Sequence, residues 1–144
     1  MDNNLKVYQR VQVSGLNQKE LIVMLYSGAL KFINEGKNLI LEKDINRTHE
    51  KLSKARDVFV HLLTTLNVEA GGELAEKLSS LYAYFIEKIT MANVTKEIGE
   101  LDDIIPLIQE IKESWEKIDI NDKTIPESKK IAKPFPVNMF SAEV

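Results

Sequence analysis

Apolar and polar positions between residues 17 and 120 recur with the period of an α-helix. The richest stretch is LIVMLYSGALKFI, Leu21 to Ile33. At ~100° per residue, Leu21, Ile22, Val23, Met24, Leu25, Tyr26, Gly28, Ala29, Leu30, Phe32, Ile33, Gly36, Leu39 and Ile40 fill an arc of roughly 240°. That is wider than the stripe of an ordinary surface helix. Ser27, Lys31, Asn34, Glu35, Asn38 and Glu42 take the remainder. Asn17 is an acceptable N-cap with Glu20 as its capping-box partner, and Leu16 and Leu21 can staple across it. The pattern runs to about Lys43. Gly28 and Gly36 each cost ~1 kcal/mol against alanine in an exposed helix, which points to two backbones approaching closely.

Three more helices complete the pattern. Asp44 caps a second one over roughly residues 45–66, with Leu52, Ala55, Phe59, Leu62, Leu63 and Leu66 as its stripe. Asn67 and Gly71-Gly72 supply the exit and turn. The third, ELAEKLSSLYAYFIEKITMANV, carries Leu74, Leu78, Leu81, Phe85, Ile89 and Ala92, widened by Ala75, Tyr82 and Ile86. Residues 93–99 read as irregular. Asp102 or Asp103 caps the fourth, which puts Pro106 in the first turn, where its missing N–H is harmless. Ile104, Leu107, Ile108, Ile111, Trp115 and Ile118 recur at helical spacing. No strand pattern competes, and short connections make successive helices antiparallel neighbours.

The expectation is an all-α, antiparallel up-down four-helix bundle with a short N-terminal arm and an extended C-terminal tail. Its divisions are an arm at 1–16, a bundle at 17–120 and a tail at 121–144. In the arm, Val7, Val11 and Val13 lie among polar residues before the Ser14-Gly15 break. The tail holds three of the four prolines, yet Ile125, Ile131, Phe135, Val137, Met139 and Phe140 are too apolar for a purely solvating segment.

The formal net charge of −3 comes from interspersed acids and bases, which gives no footprint for nucleic acid. No apolar run approaches the ~20 residues of a membrane span, so no membrane insertion is expected. The start of the chain lacks the apolar core of a signal peptide. With no cysteine, disulfides, thiolate metal sites and cysteine nucleophiles are excluded. His49 and His61 are twelve residues apart, hence roughly 120° apart around one helix, and cannot share a metal. No catalytic residue, cofactor site or metal site stands out, and an enzyme or cofactor bundle is the weakest of the readings.

The surplus apolar arc of the first helix leaves two readings open. Either it is the central helix, covered by the others, or a second strip is free for a partner. On the second reading the candidate contacts are Ile22, Leu25, Tyr26, Ala29, Leu30 and Ile33, joined by Tyr84, which lies off the centre of its seam. Tyr82 and Trp115 read as core. Tyr8 and Val11 from the arm are further candidate contacts. Val13, Phe135, Val137, Met139 and Phe140 are candidates to cover the strip when no partner is bound. A self-associating structural or regulatory bundle, burying the strip in a homodimer, is the rival.

LIVMLYSGALKFI, GGELAEKLSSLYAYF and EIKESWEKI, in this order and spacing, resemble the flagellar secretion chaperone FliS family. Tyr8-Gln9 is similar to that family's N-terminal segment, and the likeness covers about residues 5–120. It implies a non-catalytic cytoplasmic bundle that binds the C-terminal region of flagellin. Such a chaperone holds flagellin from polymerising and delivers it to a component of the flagellar type III export gate. Two features depart from the family pattern: Pro106 interrupts the last helix, and residues 121–144 extend past the usual end.

Overall fold

The computed structural model describes residues 18–118. They form four helices, α1 (Gln18–Leu41), α2 (Ile45–Thr65), α3 (Val68–Thr95) and α4 (Gly99–Lys117), with no strand among the described residues. Each helix packs on its two neighbours in cyclic order, α1 on α2, α2 on α3, α3 on α4 and α4 back on α1. Cross-contacts give the directions. Tyr26 of α1 meets Phe59 of α2 while Glu35 meets Lys51. Phe59 meets Tyr82 of α3 while His49 meets Asn93. Tyr26 meets Trp115 of α4 while Lys37 meets Asp102. In every case the numbers run oppositely, so the bundle is antiparallel and up-down, as the pattern predicts.

Helix ends obey local chemistry. Lys43, at φ 63°, closes α1, with the Lys43 and Asp44 amides donating to the carbonyls of Ile40 and Leu39 at 3.0 Å. This is the paired closure of a Schellman turn. Asp44 then caps α2, its carboxylate accepting from the Arg47 amide at 3.1 Å. Asn67 caps the short first stretch of α3 through the Ala70 amide. Gly72 breaks that helix at φ 57°, ψ −137°, a region open essentially to glycine alone. The main body of α3 therefore starts at Glu73, where the sequence places it, and continues through Asn93 to Thr95 rather than fraying there.

The fourth helix departs from expectation. It begins at Gly99, without a side-chain cap, so Asp102 and Asp103 lie within it and Pro106 is well inside. The two aspartates serve instead as ion-pair partners, Asp102 with Lys37 at 2.6 Å and Asp103 with Lys88 at 3.2 Å. Pro106 is exposed, so its ring meets water rather than a neighbouring helix.

At the centre sits an aromatic cluster of Tyr26, Phe59, Tyr82 and Phe85, with ring centroids 5.1–6.4 Å apart along the chain of contacts. At Gly36 a side chain of α2 packs tightly on α1: a Cβ there would stand 2.5 Å from Leu52 Cδ2, and Leu52 is fully buried. Gly36→Ala is expected to destabilise the bundle by roughly 1–2 kcal/mol, overpacking outweighing the ~1 kcal/mol gain in helix propensity. Chemical denaturation of both proteins measures it.

Candidate functional site

The first question is where α1 places its apolar surplus. Ile22 and Leu25 are 2% exposed, Leu30 is 7%, and Tyr26, Ala29 and Ile33 are 0%. These six residues are core. All six are closed off from solvent in this structure. The physical reason is the square arrangement. A corner helix faces two neighbours and, across the core, the side chains of the third, which buries about half its circumference. Val23, Phe32 and Ile40 fill the margins, half-buried and packed against the core. Tyr8, Val11, Val13, Phe135, Val137, Met139 and Phe140 lie outside the described residues.

Tyr26 sits at the heart of that core for a polar reason as well. Its hydroxyl accepts from Trp115 Nε1 at 3.2 Å and shares a short hydrogen bond with the Tyr82 hydroxyl. Residues of α1, α3 and α4 are thus tied through one buried atom. Tyr82 and Trp115 are core, as read from the sequence. Desolvation pushes both phenols well above their ordinary range, and for Tyr82 the Tyr26 neighbour adds to the effect. The folded state then resists ionisation that the unfolded chain undergoes near pH 10. Stability contributed this way is fully present below pH 10 and is lost above it. Unfolding free energy is expected to be level from pH 7 to 9 and to fall above pH 10 by up to about 1.4 kcal/mol per pH unit per tyrosine. Denaturant titrations at pH 9 and 11 measure this.

The remaining apolar surface lies elsewhere. Of the four contacts between neighbouring helices, the one between α3 and α4 is the least extensive. Lys88 marks its lower end, pairing with Glu100 at 2.8 Å and Asp103 at 3.2 Å on α4. These carboxylates, Glu100 foremost, hold the Lys88 ammonium above its usual range. The same ammonium stands 5.5 Å from the Tyr84 ring centroid, a cation–π contact. One turn from Lys88 on α3 comes Tyr84, then Leu81. One turn from Asp103 on α4 comes Leu107, then Ile111. Residues three or four apart share a helix face, so Tyr84 and Leu81 lie on the face of α3 that carries Lys88, and Leu107, followed by Ile111, on the side of α4 that carries Asp103. Tyr84 is 36% and Leu107 37% exposed, while Leu81 and Ile111 are half-buried against the core. Ile118, just past the end of α4, is also half-buried.

Of the candidate contacts named from the sequence, Tyr84 is partly exposed and the six residues of α1 are buried. Leu107 is exposed to a similar degree on α4, and Leu81 and Ile111 are half-buried. A separate exposed group, Leu41, Ile45 and Val94, lies near the helix ends. Among the described residues no cluster of three His, Cys, Asp or Glu side chains is arranged to hold a metal, and no helix is long and apolar enough to cross a membrane.

Residues 1–122 match the model of the family described as flagellar protein FliS. The chain is 34% identical over 122 residues to the flagellar secretion chaperone FliS of Vibrio cholerae, covering 82% of this chain and 90% of that relative. It is 31% identical over 124 residues to the flagellar secretion chaperone FliS of Campylobacter jejuni, covering 85% and 97%. For the protein of the same name from Salmonella typhimurium the identity is 30% over 121 residues, covering 81% and 90%. A match of this length to the family, carried on a helical bundle with the expected topology, settles the kinship: the chain belongs to the FliS family of flagellar secretion chaperones.

Proposed function

We propose that this chain is a non-catalytic cytoplasmic chaperone that holds the C-terminal region of flagellin against premature polymerisation. It then hands flagellin to a component of the flagellar export gate. The observation that supports the reading is apolar surface on the paired helices α3 and α4: Tyr84 and Leu107 are 36% and 37% exposed, and Leu81 and Ile111 are half-buried. An amphipathic client helix with anchors at i, i+3, i+4 and i+7 can lie along such a surface. The client loses chain entropy as it orders, which keeps affinity per area moderate. That suits a cargo to be released. Tyr84 remains a proposed contact on the described chain, and Tyr8 and Val11 remain proposed contacts of the arm.

Leu107→Gln and Tyr84→Ala test this. Each removes apolar area from the seam at a surface position and is expected to weaken binding of a flagellin C-terminal peptide by about tenfold or more, in line with the ~1.4 kcal/mol that tenfold represents. Val60→Gln, on α2 and 39% exposed, is expected to leave affinity unchanged. Calorimetric titration compares the three. Loss of binding in Val60→Gln alone would move the groove to another seam.

A further inference from the structure

The structure describes the chain as far as Ile118, which follows the end of α4 with its side chain half-buried against the core. The family match ends at residue 122. Residues 123–144 lie beyond that match and contain PFPVNMF, residues 134–140. We infer that this stretch is an intramolecular occupant of the α3–α4 seam, displaced when the client arrives. The inference rests on the seam being the client groove.

Three properties fit the stretch to that place. The first is reach. Phe135 is 17 residues beyond Ile118, a tether of up to about 56 Å at ~3.3 Å per residue, while Leu107 lies only about 16 Å back down α4 at ~1.5 Å per residue. The second is spacing. Pro134 and Pro136 bar a helix, and in an extended chain alternate side chains, here Phe135, Val137 and Met139, recur about every 6.6 Å. Residues four apart on a helix, here Leu107 and Ile111, recur about every 6 Å, so one row can nest along the other. The third is charge. Lys129, Lys130 and Lys133 precede the apolar stretch, and Glu110, three residues from Leu107 and so on the same side of α4, is exposed. A tethered segment competes at an effective concentration in the millimolar range for short flexible linkers. Weak contacts therefore suffice to shield the seam without blocking a client that wraps a larger area.

The chain has no cysteine, so Asn138→Cys gives a single labelling site in the full-length protein. A nitroxide there is expected to broaden the methyl resonances of Leu107 and Ile111 most and those of Val60 least. Phe135→Ser combined with Met139→Ser, in the full chain, is expected to abolish that gradient and to tighten flagellin-peptide binding about tenfold. Broadening equal at Leu107 and Val60 would overturn the inference. So would broadening that grows with protein concentration, which marks a second copy as the occupant. Unchanged peptide affinity in the double serine variant would overturn it too. Seam broadening in a protein that binds no flagellin peptide would uphold the self-contact and remove the flagellin reading instead.

Discussion

Ile33→Ala is expected to lower the unfolding free energy by about 3 kcal/mol, the range for deleting a large aliphatic side chain from a closed core. Ile33 is 0% exposed on α1, and its loss leaves a cavity that the neighbouring helices can only partly fill. For a bundle of this size the melting temperature should drop by roughly 12–20 °C. Below the new melting temperature, affinity for a flagellin C-terminal peptide should stay within about twofold. The two readouts separate the roles open to α1. A docking strip would lose affinity and keep its stability; a central core helix does the reverse. Denaturant titration and calorimetry on the same protein give both numbers.

Tyr26→Phe should cost about 2–3 kcal/mol although it deletes one oxygen. That oxygen accepts from Trp115 Nε1 and pairs with the Tyr82 hydroxyl, and a buried polar group deprived of a partner costs about 1–3 kcal/mol. Tyr82→Phe should cost less, about 1 kcal/mol, because Tyr26 keeps its bond from Trp115. The order of the two, read from denaturant midpoints with unchanged slopes, tests whether Tyr26 is the centre of the network. Near-ultraviolet dichroism of Trp115 should change in the Tyr26 variant and much less in the Tyr82 variant.

Most of the architecture is legible in the residues. Four periodic apolar rows give four helices, and the Asp44 cap and the Gly36 close approach can be named in advance from single residue types. The Gly72 break is equally plain, since a glycine pair precedes a strong helical pattern. Two things are not legible, each for a physical reason. The width of an apolar arc does not say what faces it: the hydrophobic effect is non-directional, and a corner helix of a square bundle buries about half its surface. Ile22, Tyr26 and Ile33 therefore look like a spare strip, yet all three are buried. The start of α4 is hidden because Asp102-Asp103 followed by Pro106 imitates a capped helix start. Their true partners, Lys37 and Lys88, lie 65 and 15 residues away, beyond the reach of any local rule. Tyr84 could be singled out because it lies off the centre of its own row. That Leu107 of α4 is exposed to a similar degree, and that α3 and α4 pair, requires the tertiary structure.

The central claim is that the client lies along α3 and α4 and not on α1. Titrating isotope-labelled protein with the flagellin C-terminal peptide and monitoring the resonances tests it most directly. The account predicts the largest shifts at Leu81, Tyr84, Leu107 and Ile111. Largest shifts at Ser27, Lys31 and Asn34, on the outer face of α1, would contradict it.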